Sequence, residues 1–152
     1  MPRSPAHTVR RRPGFFHPVI LRSRRTGWSI ERQCAFLAQL YFTGSPAAAA
    51  RMVGMSRESA HRLRARAGAE GFANAWDRVL THPGTGRCQP AATDLRKVTF
   101  PTLCQRAAIG LVRPVLYRGR MTGIAVRADN TALLRLLRRE DALAARVAAD
   151  AA

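Results

Sequence analysis

Residues 45–67 read SPAAAARMVGMSRESAHRLRARA, and the order of residue types in this stretch decides the fold. Ala47 to Ala50 are small, so a second helix can cross them closely. Gly54 stands where the chain must leave a first helix, a place where φ > 0 is usual and glycine meets no steric penalty. Two residues on, the Ser56 hydroxyl is placed to cap a new helix, with Glu58 near that helix's positive end. Ala50, Gly54 and Ala60 have the spacing of the small residue, turn glycine and buried small residue of a helix-turn-helix. The stretch therefore predicts helices over roughly 46–53 and 57–67.

The faces of the second helix carry the chemistry. At about 100° per residue, Ala60, Leu63 and Ala67 share one side, and Glu58, His61, Arg62 and Ala65 the other, with Arg57 and Arg66 on its flanks. A recognition helix sets its N-terminal exposed residues against base edges in the major groove. Here these are Arg57, Glu58, His61 and Arg62. Arginine pairs bidentately with guanine O6 and N7, and a glutamate accepts from cytosine N4. Arg64, nearer the buried edge, and Arg66 are better placed for phosphates. The alternative is an arginine-rich solvated helix in a purely structural three-helix bundle.

Outward from this stretch, Ser29 is a plausible N-cap for a preceding helix, with Glu31 in its first turn and Cys34, Leu37, Ala38 and Tyr41 at helical spacing before Gly44. After Gly68, residues 70–80 form another helix with an apolar stripe of Phe72, Ala75, Trp76 and Val79. Residues 28–80 thus make one domain, a tri-helical bundle buttressed by a fourth helix. Residues 1–27 hold Pro2, Pro5, Pro13 and Pro18, seven arginines and no acid. They read as a basic, largely disordered arm on which Phe15, Phe16, Val19 and Ile20 are the docking candidates. Such arms can enter the minor groove, with Arg22, Arg24 and Arg25 as the residues to do so, and the alternative is a solvated tail.

Residues 81–94, THPGTGRCQPAATD, read as a linker. Residues 95–149 read as a helix–β-hairpin–helix unit. Thr99 and Pro101 start a short helix that Gly110 stops. Leu111–Tyr117 and Met121–Val126 pair around Arg118-Gly119-Arg120, and Asp129 or Asn130 caps a last helix lined by Leu133, Leu136, Leu137, Leu143 and Val147. Pro114 implies an edge position or an irregular start to its strand. The hairpin tip puts Arg118 and Arg120 within reach of phosphates, or leaves them as a solvated turn. The last helix is expected to cover its own hairpin, with pairing into a homodimer as the alternative. The fold class is mainly α.

Composition narrows the function. Of 152 residues 26 are basic and 9 acidic, a net charge of +17, and all but one of the basic residues are arginine. Such a surface attracts polyanions, and arginine suits bidentate phosphate and guanine contacts. Cys34, Cys88 and Cys104 are widely spaced with no C-x-x-C pair, which argues against a metal site and suits a reducing cytoplasm. No apolar run approaches the length of a membrane span, and Gly14–Leu21 is too short for a secretory signal. Glycine-rich phosphate loops, H-E-x-x-H and G-x-S-x-G are absent, and Asp77, Asp94, Asp129 and Asp141 are scattered, so neither catalysis nor a cofactor is expected.

The segments WSIERQ (28–33), VGMSRESAHRLR (53–64), FANAWD (72–77), YRGR (117–120) and DNTALLRLLRR (129–139) resemble those of small, mostly uncharacterised bacterial helix-turn-helix proteins. The resemblance implies a homeodomain-like DNA-binding fold and a nucleoid-associated place in the cytoplasm. It defines no operator and no ligand. The helix pair is also similar, through the common motif alone, to DNA-binding domains of phage small terminases and transposases. The expected function is sequence-selective binding of double-stranded DNA in transcriptional regulation. The alternatives are a phage-derived packaging or recombination adaptor that recruits DNA, and a general RNA-binding protein, although an aromatic stacking surface of the RRM or OB type is lacking.

Overall fold

The computed structural model describes residues 10–22, 25–83 and 98–152. In chain order these form α1 (Ile30–Thr43), α2 (Pro46–Met52), α3 (Arg57–Ala65), α4 (Glu70–Leu80), α5 (Phe100–Ile109), β1 (Leu111–Tyr117), β2 (Arg120–Arg127) and α6 (Asn130–Asp150). The protein is mainly helical, with one two-stranded antiparallel sheet among the described residues. It divides into two units. The first joins α1–α4 and the segment before them to the hairpin residues Val112–Val126; the second comprises α5, α6 and the hairpin ends Leu111 and Arg127.

Serines start the first three helices. Ser29, Ser45 and Ser56 accept hydrogen bonds from the backbone N–H groups of Arg32, Ala48 and Ser59, at 3.2, 3.3 and 3.1 Å, which satisfies donors that a helix start would otherwise leave open. Gly44 ends α1 with φ of 69°. α2 ends in a Schellman closure: Met55 N–H bonds Ala50 C=O at 2.9 Å, and Gly54 N–H bonds Arg51 C=O at 3.1 Å. That closure needs a left-handed residue, and Gly54 supplies it with φ of 75°. Four residues then separate α2 from α3.

Aromatic rings hold the helices of the first unit together. Phe36 of α1 lies 4.8 Å from Trp76 and 5.8 Å from Phe72 of α4, ring centre to ring centre, and Trp28 closes on Phe36 edge-on at 5.6 Å. Phe36 and Phe72 are fully buried, each worth roughly 1.5–3 kcal/mol of transfer free energy. Ala49, Ala50 and Ala60 are also fully buried; their small side chains let α2 and α3 approach α1 and α4.

Three findings depart from the sequence expectations. The first concerns the arm. Residues 1–9 and 23–24 lie outside the described residues, but 10–22 follow a defined course against the helices instead of the expected disorder. Phe16 exchanges backbone hydrogen bonds with Val112 at 2.9 and 3.0 Å. Phe16 and Val19 are buried. Arg10 donates to the carbonyls of Tyr41 and Phe42 at the end of α1, at 2.8 and 3.3 Å, where a cation also meets the negative end of the helix. The segment passes so near α4 that a Cβ on Gly71 would come within 2.9 Å of the His17 backbone.

The second concerns α3, which stops at Ala65, so Ala67 is exposed instead of sharing the buried side with Ala60 and Leu63. Arg66 turns extended (ψ 144°), Gly68 takes φ of 85°, and Ala69 fills the buried position. The third concerns the expected helix–hairpin–helix unit. The hairpin belongs with the N-terminal helices, because Phe16 adds to the outer edge of β1 and Leu116, Met121 and Ile124 pack against their core. Val112 and Pro114 turn their backbone groups to the same edge, and proline lacks an N–H, so the Phe16 bridge stays a single pair. The hairpin turn is the two residues Arg118 and Gly119, both with positive φ (46° and 76°), as a type I′ turn requires.

In the second unit α5 packs on α6 through Leu103 and Ala132, both buried. Asp129 caps α6 by accepting from Ala132 N–H at 3.1 Å. Leu133, Leu137, Leu143 and Val147, expected to cover the hairpin, are exposed. The expected linker, from residue 84 on, lies outside the described residues. Among these residues no helix is long and apolar enough to cross a membrane.

Candidate nucleic-acid interface

Four features orient α3. Its Ser56 cap sets where it starts. Ala60 and Leu63 are buried against the core. Trp28 Nε1–H donates to Ser59 Oγ at 2.7 Å, which ties the residue between the two faces to the segment ahead of α1. Arg64 forms an ion pair with Asp77 of α4 at 2.7 Å, and its guanidinium lies 5.2 Å from the centre of the Trp76 ring. With one side held in this way, rotation about the helix axis is restricted, and the outward side is fixed.

That outward side carries Arg57, Glu58, His61 and Arg62, all exposed and bordering one shallow depression. Arg57 and Glu58 occupy the first turn, where the helix dipole adds positive potential. The His61 ring lies 5.1 Å from that of Trp76, so the imidazole leans on the core while remaining exposed. The structure therefore brings the four proposed base readers together on one side of one helix, Arg57 and Glu58 in its first turn and Arg62 already in its last. Chemically the cluster offers two guanidinium forks, one carboxylate acceptor and an imidazole, within about two helical turns.

The other candidates are spread out. Arg66 is the exposed C-cap of α3. Arg118 and Arg120 are exposed at the hairpin turn, Arg118 with its guanidinium 5.3 Å from the Tyr117 ring. Arg22 is exposed, and Arg24 lies outside the described residues. Arg25 is exposed beside the exit of α2, where it borders an open depression with Arg32, Met52 and Val53. Arg64, expected to contact phosphate, has its guanidinium against Asp77 and Trp76. Its periodicity placed it near the buried edge; only the packing of α4 revealed its partners.

Sequence reasoning missed the polar residues that position this surface. Gln33 is fully buried in α1; its amide accepts from Val19 N–H at 2.8 Å and donates to Val19 C=O at 2.8 Å and Trp28 C=O at 3.3 Å. It thus holds Trp28, which in turn holds Ser59. The one available signal was its place on the apolar side of α1, next to Cys34 and one turn before Leu37. Cys34 is buried with its thiol pushed up to about 12, by desolvation first and by the Glu31 carboxylate second. Among the described residues no three His, Cys, Asp or Glu side chains converge as a metal site. Comparison with protein-family models, curated proteins and solved structures gave no match.

Proposed function

We propose that the chain binds double-stranded DNA, with α2 and α3 acting as a helix-turn-helix and α3 as the recognition helix. The observation that carries this reading is the division of α3. One side is buried and tethered, and the other presents Arg57, Glu58, His61 and Arg62 along its length, within a chain of net charge +17. A recognition helix needs that arrangement, since side chains can match base edges only when the helix behind them is rigid. Arg57 and Arg62 read guanine, and Glu58 reads cytosine. Arg66, Arg118 and Arg120 meet phosphates, Arg22 and Arg25 serve the arm, and Arg64 positions α3 through Asp77 and Trp76.

The reading favours a sequence-selective regulator without catalytic activity. The exposed leucines of α6 favour a second reading, an adaptor that brings DNA to an assembly. Selection from a random duplex pool, run beside a single-stranded RNA pool at the same salt, tests the proposal. A defined duplex motif should emerge, and Arg57→Ala and Arg62→Ala should each cost about 1–3 kcal/mol on that motif and less on unrelated duplexes. Enrichment of RNA over duplex, or equal losses on all sequences, would remove the case for a recognition helix.

A further inference from the structure

Ser59 is the third residue of α3, and at about 100° per residue it falls between Leu63 on the buried side and Arg62 on the outward side. Trp28 Nε1–H donates to Ser59 Oγ at 2.7 Å. An indole nitrogen only donates, so Oγ is the acceptor in this bond and keeps its own proton. A serine inside a helix can give that proton to the carbonyl four residues back. For Ser59 this is the carbonyl of Met55, which stands before the Ser56 cap and outside the helix. Among the described residues nothing accepts the Ser59 proton. The donor that fixes this hydroxyl is itself fixed. Trp28 is buried, its ring closes edge-on on Phe36 at 5.6 Å, and Gln33 donates to its carbonyl at 3.3 Å. A half-buried hydroxyl is thus held from the protein side with its proton left for an acceptor outside.

We infer that Ser59 donates this proton to a backbone phosphate of the bound duplex and reads no base. An α-helix with its side chains is about 10–12 Å across and the major groove about 12 Å wide, so a helix in the groove brings its flanks against the phosphate walls. Ser59 stands on such a flank, beside Arg62. Serine hydroxyls are phosphate donors, and a hydrogen bond to a charged oxygen is stronger than one to a neutral oxygen. Holding the hydroxyl in advance removes the cost of orienting it on binding. Because the hydroxyl is neutral, its contact adds affinity without releasing a counterion, which separates it from the arginines.

The assignment rests on α3 being the recognition helix, and the experiment separates the two. Wild type, Ser59→Ala and the double variant Trp28→Phe with Ser59→Ala are titrated at several salt concentrations, on the selected motif and on an unrelated duplex. Ser59→Ala leaves the buried Trp28 N–H without its acceptor, whereas the double variant removes both partners and keeps an aromatic ring against Phe36; thermal melts check that it folds. Both variants should bind about tenfold more weakly on both duplexes, with the slope of log K against log[salt] unchanged. When phosphates of the motif are replaced one at a time by methylphosphonate, the difference between wild type and Ser59→Ala should vanish at one of them. A wild type that selects no duplex motif would overturn the recognition helix and Ser59 with it. Where a motif is selected, wild-type affinity in the double variant, a loss confined to the motif, or a difference that persists at every phosphate would overturn the Ser59 assignment alone.

Discussion

Gln33 shows how much of this protein rests on single polar residues. Its amide serves Val19 as a second strand would, satisfying one backbone donor and one acceptor, and it also reaches Trp28. Gln33→Leu puts an apolar side chain of similar size in its place and leaves those backbone groups without the amide. The expected loss is about 1–3 kcal/mol in chemical denaturation; an unchanged midpoint would mean that water replaces the amide at no cost. Its neighbour Cys34 predicts a pH effect. The folded thiol ionises at about 12 and the unfolded one near its ordinary 9.0, so the folded state holds the extra proton between those values. This contribution is complete below 9.0 and is lost as pH rises toward about 12. Cys34→Ala should therefore flatten the alkaline decline in melting temperature, and parallel curves for the two proteins would contradict the burial.

At the scale of elements, α3 is defined by its contrast of faces. Ala60 is fully buried at a helix crossing, and Ala65 is exposed on the last turn. Ala60→Leu adds methylenes where no space exists, at a typical cost of about 1–3 kcal/mol, whereas Ala65→Leu should leave stability nearly unchanged. Thermal melts of the two variants compare them directly, and equal midpoints would deny that α3 is packed. The hairpin teaches the opposite lesson. Its strands and turn follow from local residue types, but its place in the molecule follows from Phe16, nearly a hundred residues earlier in the chain.

For the whole molecule the dominant quantity is charge. With 26 basic and 9 acidic residues, the chain attracts polyanions whatever their sequence. Duplex affinity should fall steeply with salt. For about five neutralised phosphates, log K against log[salt] should slope near −4 to −5. Titrations across ordinary ionic strengths measure this, and a flat response would rule out phosphate contacts as the source of affinity. Arg118→Ala combined with Arg120→Ala should make the slope shallower by about 2 if both residues meet phosphates.

Most helix starts and stops were legible in the residues because their causes are local, the end of α3 at Ala65 being an exception. Ser29 and Ser56 cap the residues that follow them, and Gly44 and Gly54 turn the chain within one or two positions; the Ser45 cap is of the same local kind, though only the structure revealed it. The exposed set on α3 was legible for the same reason, since a period of 3.6 sorts residues without knowledge of neighbours. Tertiary structure alone decided what distant segments do for one another. Arg10 closes α1 from more than thirty residues away, and Gln33 and Val19 meet across fourteen. Asp77 of α4 pairs with Arg64 of α3 across thirteen residues. The hairpin went to the first unit, and α6 kept four of its five leucines exposed, because burial is shared among segments that the order of residues does not bring together. Local preferences act over a few bonds, and so the sequence by itself determined the elements; contacts between distant segments determined which elements share a core.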